Sequence, residues 1–312
     1  MSGTTDNKVV LIKRATRLDG LVARYNTVSQ ARFVIESQGQ DFADYQAEHD
    51  RYYRQLDVAR EKISQSARVQ ELDRSFLPNF LFGPHDVVVA LGQDGLVANT
   101  LKYLADQPLL GVNPDPGRWD GVLLPFQAVE LDRVLPEYFA GQRKARRVTM
   151  AEATLNDGQK IRAVNDLFIG QRTHLSSRYS VEHKGQREHQ SSSGIVVSTG
   201  MGSTGWYLSL MTGASIISST VTGQASAKKP VYSFPWDADY LRFTVREPFP
   251  SRHSSTHLVF GKITRNEPLK LFSEAPENGV IFSDGVEQDA IAFNSGAQAT
   301  INLSPVQGHL IV

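Results

Sequence analysis

Val87-Val88-Val89-Ala90-Leu91-Gly92-Gln93-Asp94-Gly95 is the stretch whose reading decides the fold. Three valines open an unbroken apolar run, the pattern of a strand buried on both faces of a parallel sheet. The run stops at Gly-Gln-Asp-Gly, and good helix formers follow from Leu96 to Leu104. Strand, tight glycine turn and helix make half of a βαβ unit. In open α/β sheets ligands bind outside the carboxyl ends of such strands. Glycines there let backbone N–H groups approach phosphate oxygens, and the N-terminus of the next helix favours negative charge. Asp94 is then a carboxylate inside a phosphate-binding turn. Asp before Gly at a helix start also serves as an ordinary N-cap, and glycine-rich βα turns occur in sheets that bind nothing.

Working outward, Lys8 to Lys13 reads as another internal parallel strand. Arg14, Arg17 and Arg24 follow it at the edge where ligands bind, suited either to phosphates or to capping carboxylates. From Asp41 onward, Phe42, Tyr45, His49, Tyr52, Leu56, Ala59 and Ile63 fall at steps of three and four, one stripe of a long helix packed on the sheet. His49 on that stripe reads as a hydrogen-bonded boundary residue. Leu109 to Asn113 is a second strand beyond the central helix, closed by Pro114-Asp115-Pro116-Gly117. That spacing implies a parallel crossover, with Asn113 and Asp115 beside the Asp94 turn. Phe126 to Tyr138 carries the apolar spacing of one more helix.

After the basic run Arg143 to Arg147, read as a solvated linker face, the texture changes to short, Ser- and Thr-rich segments. Asn156-Asp157-Gly158, Lys184-Gly185, Asn278-Gly279 and Asp284-Gly285 are turn signals. This pattern implies an all-β second domain. Two domains also suit 312 residues, which exceed one comfortable core. The expectation is an α/β domain over residues 1–140 with a Rossmann-like parallel sheet, then a β-rich domain over 141–312 whose last residues are placed to pack back on the first.

Two pieces of the second half stand out. Asn165-Asp166 sits in a strand-like run although both residue types are depleted in strands, which calls for a bulge or a ligand. Ser191 to Trp206 runs from a strand into glycines interleaved with hydroxyl residues and ends on tryptophan. Such a segment suits a polyhydroxylated ligand with a base to stack, or a polar loop opening a helix at Ser203 or Thr204.

Composition narrows the classes. The 33 basic and 33 acidic residues balance, which argues against a nucleic-acid partner drawing on a basic surface. Cysteine is absent, removing disulfides, thiolate zinc sites and cysteine nucleophiles. The eight histidines show no metal spacing, and neither a Gly-x-Ser-x-Gly elbow nor a lysine P-loop is present. The polar start and the lack of a long apolar run lead us to expect a cytoplasmic protein with no membrane partner.

In this order the pieces resemble the NAD kinase family, most closely its mitochondrial-type branch. The matching stretches are Gly92 to Leu96, Gly111 to Pro116, Asn165-Asp166, Ser193 to Trp206 and Asp284-Gly285, spanning about Val87 to Ala292. The resemblance implies an α/β domain, a β-rich domain, a site between them and a homo-oligomer such as a homodimer. It implies an ATP-dependent phosphotransferase, with Mg²⁺ accompanying ATP or another phosphoryl donor, that phosphorylates the 2′-hydroxyl of the adenosine ribose of NAD to give NADP. Asp94 looks like the base, Gly92 and Gly95 like the phosphate turn, and Asn165 and Asp166 like the pair holding the adenine–ribose portion. Thr204, Gly205, Trp206 and Ser209 match the stretch lining the dinucleotide. Gln93 stands where the family has a second glycine, Leu96 where it has threonine, Trp206 where it has tyrosine. Ser193 replaces an aspartate of the wider family, and the mitochondrial-type branch also has serine there. A kinase for another nucleotide or sugar-like alcohol, and a nucleotide-binding relative with weak or lost transfer chemistry, are the alternative readings.

Overall fold

The computed structural model describes residues 7–223 and 232–312. Contacts divide the chain into two units, one running through Arg146 and rejoined by His309–Val312, the other Arg147–Gly308.

The first unit is built on the strands with unbroken apolar sequences. β1 (Lys8–Lys13) is followed by helices α1 (Arg17–Tyr25), α2 (Val28–Ser37) and α3 (Phe42–Ser64). Then come β2 (Arg68–Asp73), β3 (Val87–Leu91), α4 (Asp94–Leu101), β4 (Pro108–Val112) and α5 (Leu131–Phe139). The sheet order is β2-β1-β3-β4, all parallel, and the returning residues His309–Ile311 add a further parallel pairing on β4. Every residue of β3 is buried, as its three valines require. The stripe on α3 supplies Tyr52, Leu56, Ala59 and Ile63 to one core with Val9, Leu11, Val87, Val89 and Leu110. Burying each such aliphatic side chain contributes on the order of 1.5–3 kcal/mol.

The second unit holds β5 (Ala145–Leu155), β6 (Lys160–Ala163), β7 (Asp166–Gln171), β8 (Ser177–His183), β9 (Gln186–Ser192), β10 (Ile195–Ser198) and helix α6 (Trp206–Thr222). It continues with β11 (Tyr240–Val245), β12 (Phe260–Thr264), β13 (Leu269–Ser273), β14 (Gly279–Ser283), β15 (Val286–Ala292) and β16 (Gln298–Ile311). One antiparallel sheet runs β12-β11-β10-β7-β14-β15, and β16-β13-β8-β9 forms the antiparallel run of another. Val181, Leu269, Leu271 and Ile301 meet Leu167, Ile169, Val197 and Phe243 in one core between them. Lys184-Gly185 and Asp284-Gly285 are hairpin turns with both residues at positive φ. That backbone is the one tight two-residue hairpins need.

Two expectations require correction. The second unit is β-rich rather than all-β, because the 17-residue α6 lies on the outer face of its first sheet against Phe168 and Val196. The basic run is no free linker, since β5 already begins at Ala145 and Arg143 Nε pairs with Glu137 at 2.6 Å. Arg14 and Arg17 are taken up by carboxylates, one of the two uses their place in the sequence allowed. Among the described residues no helix is long and apolar enough to cross a membrane.

Candidate active site

In the first unit the carboxyl ends of β1, β3 and β4 are tied together before any functional group is placed. Tyr52 on α3 accepts the Arg14 backbone N–H at 2.8 Å and donates to the Leu91 carbonyl at 3.2 Å. Burial pushes the Tyr52 hydroxyl up to about 12, so it stays protonated for that bond. Gly92 N–H donates to Val112 O at 3.1 Å, joining the turn to the end of β4.

Gln93 is the N-cap of α4 and makes no side-chain capping bond, so Asp94 is the first helical residue and not the cap. Its Oδ1 instead accepts the Leu123 backbone N–H at 2.6 Å, from the segment that follows β4. The Asp94 side chain is half-buried, and Gly95 beside it is exposed with no atom within 4 Å of an added Cβ. Gly92 is crowded from within: a Cβ there would meet Leu96 Cδ2 at 2.8 Å. Leu96 is accordingly buried in packing and not a phosphate ligand.

The segment after β4 is itself pinned. Asn113 Oδ1 accepts the Asp115 N–H, and its amide donates to Trp119 O, both at 3.0 Å. Asp115 pairs with Arg51 at 2.5 Å, and Arg118 pairs with Asp44. Asp44 also takes Arg17 at 2.7 Å, and the two guanidinium groups hold its carboxyl far below the usual range. Burial opposes ionisation of Glu48, but Arg17 and Arg14 still bring its carboxyl below the ordinary glutamate value. Arg24 lies over the Tyr25 ring at 5.4 Å. His49 Nδ1 meets Thr16 Oγ1 at 2.9 Å, the hydrogen-bonded boundary position its stripe implied.

In the second unit the Asn-Asp pair is explained by a residue 118 positions away. Asp284 Oδ1 accepts the backbone N–H of Asn165 at 2.7 Å and of Asp166 at 3.3 Å, and both its oxygens accept that of Val164 at 3.1 Å. Asp284 takes φ +54° to do so, a left-handed backbone that Asp tolerates better than most residues. No bulge is needed: β7 starts at Asp166, with Asp166 opposite Ser198 and Leu167 opposite Ser283 in register. Burial, reinforced by the Asp284 charge, pushes the Asp166 carboxyl up to about 7.

The glycine-hydroxyl segment folds directly onto that pair. Thr199 N–H and Oγ1 both donate to Asn165 O, at 3.0 and 3.2 Å. A Cβ on Gly202 would lie 2.0 Å from Asn165 O, so only glycine allows the approach. A short 3₁₀ turn then leads into α6. Thr204, Gly205 and Ser209 are exposed there, with Ser209 Oγ bonded to Gly205 O at 3.4 Å. Trp206 stacks on Phe168, ring centroids 5.7 Å apart and planes at 19°. Phe168 is two residues beyond Asp166, so strand alternation puts both side chains on this face. A cavity of about 310 Å³ opens beside them, lined in part by Phe168, Trp206, Ser193, Phe282 and Arg246.

The structure thus gathers Gly92, Asp94 and Gly95 in the first unit, and Asn165, Asp166, Thr204, Gly205, Trp206 and Ser209 in the second. Sequence reading took Asp284-Gly285 as a turn and as one piece of the family likeness, without a role for its carboxylate, and passed over Phe168 and Arg246. Arg246 lies 5.4 Å from the Trp206 ring and donates to Ser193 O at 3.4 Å.

Comparison with solved structures decides the architecture. An NAD kinase from Archaeoglobus fulgidus in complex with ATP superposes with a TM-score of 0.58 at 15% identity, covering 98% of this chain and 93% of that one. A yeast NADH kinase complexed with NADH gives 0.56 at 14%, covering 98% and 83%. The chain has the NAD kinase fold. In sequence, NAD kinases from two strains of Clostridium kluyveri are 30% identical over 132 residues, which is 40% of this chain. The chain spans 45% of the length of those relatives. No family model matches the sequence. On the NAD kinase fold the likeness extends from the parallel sheet through the antiparallel sheets, so it covers both sets of candidate residues.

Proposed function

We propose that this chain is an NAD kinase: it transfers the γ-phosphoryl group of ATP to the 2′-hydroxyl of the adenosine ribose of NAD or NADH, giving NADP or NADPH. The observation that carries the reading is Asp94, an accessible carboxylate at the first turn of α4 whose rotamer is set by the Leu123 N–H. It sits in the glycine turn at the carboxyl end of a buried parallel strand, where such folds bind ligands. Likeness to NAD kinases in sequence and fold supports the substrate assignment.

In the proposed reaction Asp94 accepts the ribose 2′-hydroxyl proton as the oxygen attacks the γ-phosphorus. The new O–P bond forms as the bond from that phosphorus to the β,γ-bridging oxygen breaks, and ADP leaves with its electron pair. Catalysis of this kind rests on positioning and charge neutralisation, with one residue orienting the attacking hydroxyl. Among the described residues no three His, Asp or Glu side chains form a metal cage; the Mg²⁺ belongs to the ATP substrate. Asn165 and Asp166 hold the adenosine portion, and Thr204, Gly205, Trp206 and Ser209 line the dinucleotide. Placement in the mitochondrial-type branch rests on Ser193. We propose in addition a homodimer working in the cytoplasm, to be checked by light scattering and cell fractionation.

The test is direct. Purified protein incubated with Mg-ATP and NAD or NADH should yield a 2′-phosphorylated dinucleotide. A chain that binds both substrates without turnover would instead be a nucleotide-binding relative, and Gln93→Gly would then show whether the turn blocks transfer. Turnover of a different alcohol only would reassign the acceptor.

A further inference from the structure

A cavity of about 780 Å³ in the second unit takes no part in the reading above. It lies on the outer face of the β8–β9 hairpin, where Arg178 pairs across to Ser191 and Ser180 to His189. Alternation puts these four side chains on one face, with Tyr179 and Val181 turned into the core. Glu274, just beyond β13, gathers the centre: one oxygen accepts Ser180 Oγ and meets His189 Nδ1, each at 2.8 Å. Its charge is thereby engaged, and the imidazole is oriented by its Nδ1.

The opposite wall is a shaped segment. Phe249 N–H donates to Ser191 O at 2.9 Å and Ser255 N–H to His189 O at 2.8 Å, tying residues 249–255 to the β9 edge. Within it Ser254 Oγ bonds to Phe249 O at 2.7 Å and to Ser251 Oγ at 2.8 Å. Phe249 is 61% exposed, and His253 stands beside it in the wall. Arg178 is exposed and its guanidinium has no side-chain partner among the described residues. The cavity therefore contains one guanidinium with no ion pair among the described residues, the hydroxyls of Ser176 and Ser191, and an exposed aromatic face, in the volume range of small-molecule sites.

We infer that this cavity binds a phosphate-bearing small molecule, with Arg178 paired to the phosphate oxygens. A guanidinium fork matches phosphate bidentately, and serine hydroxyls supply further donors. Phe249 offers a stacking face if the phosphate is carried by a nucleotide, so free phosphate and a nucleoside monophosphate are the two sources to separate.

Histidine side-chain ¹⁵N NMR of the full chain reads the site directly, with His189 and His253 resonances identified by His189→Asn and His253→Asn. Both should shift saturably with adenosine 5′-monophosphate or inorganic phosphate, and Arg178→Gln should weaken binding about tenfold or more. Tighter binding of the nucleotide, lost in Phe249→Leu, assigns a nucleotide; equal binding assigns phosphate itself. Asp94→Asn should leave these shifts unchanged, which separates this site from the phosphotransfer proposal. Shifts that do not saturate below about 10 mM, that persist undiminished in Arg178→Gln, or that succinate reproduces equally would overturn the inference.

Discussion

Replacing Asp166 by asparagine should stabilise the fold at alkaline pH and leave it unaltered in acid. Asp166 is 8% exposed, and burial first, then the Asp284 charge, raises its carboxyl from 3.8 to about 7. Between those two values the folded chain keeps a proton that the unfolded chain has released. Stability therefore falls as pH rises through this window, and the full penalty is present above about 7. At about 1.4 kcal/mol per pH unit, the interval amounts to roughly 4 kcal/mol. The amide is nearly isosteric and carries no charge, so it escapes the penalty. The difference in melting temperature between Asp166→Asn and wild type should thus grow between pH 4 and pH 8, by on the order of 10 °C. Differential scanning calorimetry across that range measures it. Because burial is the larger cause, Asp284→Asn should retain most of the pH dependence, its amide oxygen still accepting the three backbone N–H groups. A melting difference that stays flat from pH 4 to pH 8, or that shrinks, would refute the reasoning.

If, as proposed, the same carboxyl accepts hydrogen bonds from the ribose hydroxyls, its ionised form is the stronger acceptor, so the apparent KM for NAD should rise as pH falls below about 7, and that rise should vanish in Asp166→Asn. Gly202→Ala places a methyl 2.0 Å from Asn165 O and should cost about 3 kcal/mol or more in chemical denaturation. Gly95→Ala meets nothing within 4 Å and should instead stabilise α4 by about 0.5–1 kcal/mol while raising the KM for ATP, because the turn loses its bare backbone. Tyr52→Phe strands the Arg14 N–H and the Leu91 carbonyl and should destabilise the first unit by on the order of 1–3 kcal/mol, read from urea unfolding.

Periodicity made the central architecture legible. β1 spans Lys8–Lys13 and α3 follows the stripe from Phe42, because burial on both faces and burial along one stripe leave different spacings. Local capping was the signal passed over at α1 and α2. Thr16 with Asp19 forms a capping box and Thr27 caps the next helix, and neither was read as a helix start. Of helix α6 only the opening was offered, at Ser203 or Thr204, and its length was not. Its Ile, Thr and Ser residues are poor helix formers, and Ile216, Ile217 and Val221 are exposed rather than patterned. The compensation at Asn165-Asp166 could not be read locally at all, since Asp284 reaches it from a hairpin turn in another strand pair. The identity of Gln93 as N-cap, and the bond from Leu123 to Asp94, likewise depend on a segment nearly thirty residues downstream.

The account rests on the Asp94 carboxylate taking a proton from the ribose hydroxyl. Single-turnover formation of NADP from Mg-ATP and NAD, compared between wild type and Asp94→Asn, tests this most directly. General-base catalysis of this kind contributes about 10²–10⁴-fold, so the rate should fall by at least a hundredfold with both substrates still bound and the melting temperature little changed. An asparagine variant that turns over within a few-fold of wild type would contradict it.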